Sequence, residues 1–592
     1  MSEKPARTGS PHAAWLRALE RIAPFATQAG PTLPAYFSEI ARQFGPRPAL
    51  VSPSEAYSYA SLDERVARYG GWAAEQGLGR GEAVCLLMPN RPEYAAIWLG
   101  VSGAGGVAAL LNTNLTGDGL LHAIGAASPR HIIVDASLEA AVAAVRDRLP
   151  QRVKVWTHGE SRLWPRLDRE IERAHPAAPL GETRLSDPAL LIYTSGTTGL
   201  PKAARVSHRR VIEWSCWFAG MLDARPEDRM YDCLPMYHSV GGVVALGAML
   251  TTGGSVLIRE RFSASRFWDD IVEGDCTLFQ YIGELCRYLV ESTPHPRETT
   301  HRLRLCSGNG LRGDVWEAFQ QRFRIPRILE FYASTEGNLS LYNCEGRPGA
   351  IGRIPPFLAH RFPIALTRTD IETGEPVRGP DGLCMRCDEN EPGEALGRIG
   401  GADRGHGRPF EGYTDQAASE RKILRDVLAP GDAWFRTGDL MRRDRAGFYY
   451  FVDRLGDTFR WKGENVSTEE VATALRACKG ITDAVVYGVS VPGTEGRAGM
   501  AAIIAHEPPD FATLHRELTE KLPTYARPVF LRICAQISTT GTFKPVKSDL
   551  ARQGFDPTVV ADALYFNDRS AGCFIALDEA LHNRIMSGAV QL

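Results

Sequence analysis

The sequence predicts an α/β protein: a large N-terminal domain of parallel-type sheets with a β-rich subdomain, then a small α+β C-terminal domain. Three observations predict it. Apolar strand-like runs alternate with amphipathic helical segments over most of the 592 residues, the pattern of parallel sheets flanked by helices. From Pro355 to Pro430 the texture turns to Gly, Pro and Asp with short strands. From Asp453 a compact unit runs to residue 592, the size of a small domain. The expected division is therefore 1–452 and 453–592.

Each element follows in order. Strands are expected at Ala83–Met88, His131–Val134, Ala189–Tyr193, Ser255–Ile258, Leu303–Cys306 and Ile328–Phe331, where β-branched and aliphatic residues run together. Helices are expected at Tyr59–Glu75, Arg266–Glu273 and Val315–Arg324, where apolar residues recur at helical spacing. The longest uncharged run, Tyr94–Gly117, is broken by Gly103, Gly105 and Gly106. It falls short of about 20 apolar residues and reads as a buried helix, turn and strand. The C-terminal unit carries helices at Thr468–Cys478 and Phe511–Lys521 and strands at Ala484–Val489 and Ala501–Ala505.

Lys plus Arg number 68 against 70 Asp plus Glu, a net charge of −2. That balance excludes binding to a polyanion through bulk charge, so no nucleic-acid partner is expected. The first fifteen residues lack the apolar core of a secretory leader. Reduced thiols and a cytoplasmic location are the expectation, with peripheral contact at the inner face of a membrane left open. Cys384 and Cys387 form a lone CxxC without the second pair that a structural zinc site needs.

The strongest local signal is Tyr193 to Lys202 (YTSGTTGLPK), between an apolar strand and a helical stretch beginning near Ser207. Gly196 and Gly199 let backbone approach a phosphate; Thr194, Ser195, Thr197 and Thr198 add hydroxyls and Lys202 a positive charge. It is not a Walker loop, because GxxxxGK[ST] is absent. A second signal, GNGLRG at Gly308–Gly313, has the GxGxxG spacing of a dinucleotide site, with Glu330 at ribose-holding distance. A hydride-transfer enzyme is therefore a competing reading. Tyr332, Ser334, Thr335 and Glu336 follow an apolar strand, at the strand end where α/β sites lie. Thr437 and Asp439 sit in an expected turn, Asp453 and Arg454 at the expected junction, and Lys544 in a turn (GTFK) near the C-terminus.

Together and in this order these motifs resemble the adenylate-forming superfamily of acyl-CoA synthetases, luciferases and adenylation domains. Phe262–Leu289 (FSASRFWDDIVEGDCTLFQYIGELCRYL), Phe331–Asn343 and Gly456–Val471 (GDTFRWKGENVSTEEV) resemble its fatty-acid-transport-protein, or very-long-chain acyl-CoA synthetase, branch. The resemblance runs from about residue 35 to the C-terminus. It implies a small domain that is mobile about a hinge at Asp453, and a reaction in two halves. A fatty acid or other lipid carboxylic acid attacks ATP to give acyl-AMP and pyrophosphate; coenzyme A then takes the acyl group. By resemblance, residues 194–202 hold the β- and γ-phosphates, Glu336 and Thr198 hold Mg²⁺, Gly308, Asn309 and Gly310 line the adenine, and Tyr332, Ser334 and Thr335 are further nucleotide-binding residues. Asp439 accepts from the ribose hydroxyls and Arg454 contacts the same sugar. Lys544 is the adenylation lysine, with Lys547 as the other candidate. His238 (in LPMYHS) divides the acyl and nucleotide pockets, and Gly241 and Gly242 leave room for a long or wide acyl group.

Animal members of this branch carry an N-terminal membrane anchor, whereas this N-terminus is polar and Pro-rich; no transmembrane segment is expected. Other readings stay open. The substrate is either a long- or very-long-chain fatty acid or a sterol acid such as a bile acid. A fatty acyl-AMP ligase would hand the acyl group to a carrier protein, and a lipid-binding protein would consume no ATP. For the oligomeric state, a homodimer is the prior.

Overall fold

The computed structural model describes residues 11–26, 30–195, 200–400, 408–494, 496–540, 545–590 and 592, without the side chain of residue 195. Gly196, Thr197, Thr198, Gly199 and Lys544 thus lie outside the described residues, as does the Ser195 side chain. The chain divides into two compact units. The first holds residues 1–362 and 399–423, the second residues 363–398 and 424–592. The division expected at residue 453 differs from this grouping, because the β-rich segment after Pro363 makes its contacts with residues that follow it in sequence.

Two sheets organise the first unit. The six-stranded sheet runs, edge to edge, Lys154–His158, His131–Asp135, Ala83–Leu87, Val107–Leu110, Pro188–Ser195 and Pro201–Ser207. All its pairings are parallel except the last, a hairpin. The eight-stranded sheet runs Ser340–Asn343, Ile328–Ala333, Leu305–Asn309, Leu278–Ile282, Arg229–Asp232, Ser255–Ile258, Pro48–Val51 and Ala56–Ser58. Its inner strands are parallel and each end is closed by an antiparallel strand. The helix Tyr59–Glu75 starts on a reciprocal Ser58–Ser61 capping box. The Tyr94–Gly117 run is helix to Gly103, turn, then strand Val107–Leu110, all buried in that stretch.

Several strands were not expected from sequence, among them Pro48–Val51, Lys154–His158, Arg229–Asp232 and Leu278–Ile282, and one more bears on the site. Residues Pro201–Ser207 form the second arm of the hairpin, and only then does the helix His208–Met221 begin, capped by the Ser207 hydroxyl on Arg210 N–H. The alternating polar content of PKAARVS hid this edge strand.

In the second unit an antiparallel sheet contains Ile364–Thr367, Gly393–Arg398, Ala433–Arg443 and Tyr449–Arg454. The expected turn at Thr437–Asp439 is instead the middle of the long strand Ala433–Arg443, bent at Gly438, whose φ of +77° suits glycine. A mixed five-stranded sheet, Ile481–Val489, Ala498–Ala505, Phe530–Ile533, Ala563–Asp568 and Cys573–Ala576, is accompanied by helices Thr468–Arg476 and Phe511–Lys521. Residues 459–592 carry their own apolar core, from Phe459 and Trp461 to Ile585. No helix among the described residues is long and apolar enough to cross a membrane.

Candidate active site

In the first unit, four short segments converge on one carboxylate. Glu336 lies just past the strand Ile328–Ala333, where the chain leaves the sheet. Its Oε1 accepts a hydrogen bond from the Tyr413 hydroxyl at 2.9 Å. Tyr413 is held by pairing of residues 412–414 with the hairpin strand: Arg205 N–H donates to Gly412 O at 3.0 Å and Thr414 N–H to Ala203 O at 2.9 Å. Its phenol also meets the Thr194 side chain, while burial and the Glu336 charge push its pKa upward. On the same hairpin Thr194 pairs with Lys202. The Lys202 ammonium stands 6.0 Å from the centroid of the Tyr413 ring, near enough for cation–π attraction. Thr194 and Lys202, which flank the Gly- and Thr-rich segment, are thereby joined to Glu336 through one tyrosine.

The local charge is positive. Lys202 has its pKa lowered by partial burial and then by the nearby Arg421 and Lys422, with Asp415 and Glu336 acting the other way. Three cations beside the hairpin make a place where a polyphosphate would be attracted. The backbone of Glu336 is fixed from below. Arg210, on the first turn of the helix after the hairpin, donates to the Glu336 carbonyl at 3.4 Å and to the Gly337 carbonyl. Glu411 accepts from Ser207 N–H at 2.7 Å and from its hydroxyl at 2.6 Å, tying the segment before Tyr413 to the strand's end. Tyr413, Arg210 and Glu411 were missed from sequence. No spacing marks them, since each lies outside the recognisable motifs and gains its role from pairing in space.

His238 sits half-buried against Tyr237, ring centroids 4.7 Å apart. The neighbouring Ser239 hydroxyl lies 3.0 Å from that of Thr335, which joins the histidine segment to the Glu336 segment. Tyr332 and Ser334 are partly buried on the same strand and its exit. A π-helical turn, Val240–Ala245, follows His238. Here the geometry corrects the reading of Gly241 and Gly242. Both are buried, and a Cβ would stand 2.8 Å from Leu234 O at Gly241 and 1.8 Å from Met236 O at Gly242. The missing side chains make way for the backbone of residues 234–236, not for a ligand.

The Gly308–Gly310 loop likewise departs from the dinucleotide pattern. A Cβ on Gly308 would collide with the Tyr281 carbonyl, and Gly310 has φ of +80°. Glu330, the expected ribose holder, is only 1% exposed. It accepts from the Tyr281 hydroxyl at 2.7 Å and from Leu311 N–H at 3.0 Å, which pins the loop and engages both carboxyl oxygens within the protein. Burial raises its pKa to about 8 against those two donors. A carboxyl raised in the folded state contributes stability below its unfolded pKa that is lost as pH rises through 8. We expect Glu330 to add a downward slope to the melting temperature between pH 5 and 8.5, worth on the order of a few kcal/mol. Glu330→Gln should flatten that part of the slope in a pH series of thermal melts; an unchanged slope refutes the assignment.

In the second unit, Asp439 and Arg454 face each other across adjacent strands, Nε to Oδ1 3.8 Å. The Asp453 carboxylate is buried and accepts from Thr468 N–H at 2.6 Å, Thr468 Oγ1 at 2.8 Å and Arg454 N–H at 2.8 Å. Burial raises its pKa, and Lys547 opposes that rise. Lys547 donates to Thr468 Oγ1 at 2.7 Å and pairs with Asp457 at 3.1 Å, so it belongs to the same junction.

The architecture is shared with adenylate-forming ligases of known structure. Those include a benzoate CoA ligase from Burkholderia xenovorans LB400, with TM-score 0.75, 21% identity, and coverage of 88% of this chain and 100% of that one. ATP-bound MatB from Rhodopseudomonas palustris gives TM-score 0.73 at 23% identity, covering 88% and 98%. The AMP-binding enzyme family model matches residues 37–394 and the AMP-binding enzyme C-terminal domain model residues 470–544. The chain belongs to the AMP-binding enzyme family. Within it, the branch is that of the long-chain fatty acid transport proteins. The chain is 42% identical to long-chain fatty acid transport protein 1 of Mus musculus over 95% of its length and 89% of the relative. With long-chain fatty acid transport protein 3 of Homo sapiens it shares 40% identity over 87% and 76%.

Proposed function

We propose that the protein is an ATP-dependent acyl-CoA synthetase that activates a long- or very-long-chain fatty acid through acyl-AMP, releasing AMP and pyrophosphate. The observation that carries this reading is the Thr194–Tyr413–Glu336–Lys202 cluster: hard oxygen donors and ammonium charge gathered at one hairpin, in a chain of this family. Carboxylate attack on an α-phosphate brings two anions together, so the protein's task is positioning and charge neutralisation. Lys202 and the hairpin would hold the β- and γ-phosphates. The Glu336 carboxylate and the Thr194 hydroxyl are oxygen ligands of the kind that would hold Mg²⁺, whose charge would help neutralise the phosphates; Thr198, the other metal candidate, lies outside the described residues. Tyr413 holds Glu336 in place by its hydroxyl and Arg210 holds it by its backbone. His238 would separate the acyl group from the nucleotide, Asp439 and Arg454 would hold the ribose, and Lys544 would stabilise charge on the reacting carboxylate and α-phosphate.

The two half-reactions need different faces of the small domain, and we assign the pivot to Asp453, whose carboxylate bridges strand Tyr449–Arg454 to helix Thr468–Arg476. A few backbone dihedrals at such a junction can carry a large rotation. Asp453→Pro should slow thioester formation more than adenylate formation; equal losses in the two half-reactions, timed separately by rapid quench, would count against the pivot.

The deciding assay measures AMP released from ATP and Mg²⁺ with acids from acetate to very-long-chain fatty acids, a bile acid and an aryl acid, with and without coenzyme A. AMP release that needs both coenzyme A and a lipid acid supports the reading. Turnover indifferent to coenzyme A points to delivery to a carrier protein.

A further inference from the structure

Asp232, Gln280 and Ser307 occupy one register line across three neighbouring parallel strands, Gln280 paired with Asp232 on one side and Ser307 on the other. Residues two apart on a strand share a face. Met230, Leu278 and Leu305, two positions earlier on the same strands, all belong to the main core of the first unit. The polar row therefore faces that core, while Tyr231, Phe279 and Tyr281 pack together on the opposite face. All three polar residues are at most 1% exposed. Yet Oδ2 of Asp232, both amide atoms of Gln280 and Oγ of Ser307 have no hydrogen-bond partner. The same is true of Oδ1 of Asn309, two residues on from Ser307 and half-buried at the strand's end.

A buried polar group without a partner is an exception that needs a cause, and here the exceptions are contiguous. They form a polar track that begins at Asn309, at the carboxyl edge of the sheet where α/β sites lie, and leads into an apolar core. An acid reacting at that edge would lay its chain along the track. The row's chemistry narrows the occupant. Asp232 Oδ1 accepts from Leu234 N–H at 3.0 Å, and burial pushes this carboxyl well above the usual range. A neutral carboxyl, an amide and a hydroxyl offer both donors and acceptors but no charge, which suits an uncharged oxygen rather than a phosphate, metal or carboxylate.

We propose that the Asp232–Gln280–Ser307 row is an acyl-group subsite that takes a hydroxyl or keto oxygen carried on the substrate's acyl part, a proposal that rests on the acyl-activating function above. Ordered water could supply the same hydrogen bonds, and the experiment separates the two. Wild-type enzyme, Gln280→Leu and Ser307→Ala are compared on long-chain acids matched in length, unsubstituted or carrying one hydroxyl at successive positions, together with a hydroxylated sterol acid. At least one hydroxylated acid should show kcat/KM about tenfold above its unsubstituted partner. Gln280→Leu should abolish that preference while retaining activity on the unsubstituted acid. Should no hydroxyl position help, with Gln280→Leu equally active and melting higher, the row holds water alone and the proposal is overturned. If Gln280→Leu does not fold, the smaller Ser307→Ala change decides by the same ratio. If no acid yields AMP with the wild type, the synthetase reading fails; calorimetric binding of the paired acids then tests the subsite by itself, and equal affinities refute it.

Discussion

Lys544→Ala should lower acyl-adenylate formation by about 10²–10³-fold, the loss seen when one preorganised group is removed from developing charge. Consumption of separately supplied acyl-AMP by coenzyme A should fall far less, because the lysine's charge is needed only while the carboxylate and α-phosphate react. The C-terminal family match ends on Lys544. Lys547 is the informative control. Its ammonium is committed to Thr468 and Asp457 in the junction with Asp453, so Lys547→Ala should lower the melting temperature of the second unit and impair both half-reactions together. If Lys547→Ala instead loses only adenylation and Lys544→Ala loses nothing, the two assignments exchange.

The second large effect is expected at Glu336. Glu336→Gln keeps the shape and a hydrogen-bonding oxygen for Tyr413 but removes the charge. AMP release should fall by about 10²-fold or more, with the Mg²⁺ concentration for half-maximal rate shifted upward. Tyr413→Phe is the graded companion. It removes only the hydroxyl that orients Glu336 at 2.9 Å, so the same Mg²⁺ shift should appear at smaller size with the fold intact. A rate loss in Tyr413→Phe at unchanged Mg²⁺ dependence would mean the tyrosine serves packing and not the carboxylate.

Much of this was legible in sequence, and the limits have physical causes. Strands buried on both faces announce themselves as continuous apolar runs, which is why Ala83–Leu87, His131–Asp135 and Ser255–Ile258 were placed to within a residue. The edge strand Pro201–Ser207 was not, because one face is polar and it begins with proline. The order of motifs identified the family, yet the same letters misled where glycine has more than one use. GxGxxG suggested a dinucleotide, while its Gly308 yields to a tyrosine and its partner Glu330 locks a loop. Gly241 and Gly242 suggested an open pocket, while they admit a carbonyl. Sequence spacing also carries no trace of Tyr413, which reaches Glu336 only because residues 412–414 pair with a strand two hundred residues earlier.

The π-helical turn after His238 has a consequence for insertion and deletion. Such a turn is an α-helix carrying one residue more than it needs. Removing a single residue between Val240 and Ala245 would let the segment relax into an ordinary helix continuous with Leu246–Leu250. Because the wider turn absorbs that residue, the chain on either side would keep its bearing about the helix axis, and only the bulge would be lost. The His238 carbonyl, which now accepts from Gly242 N–H, would keep a helical partner, while the backbone of 240–245 would draw in from the space the bulge fills. The extra residue thus widens one turn without turning its neighbours, a feature recorded in chain length that no substitution scan reaches.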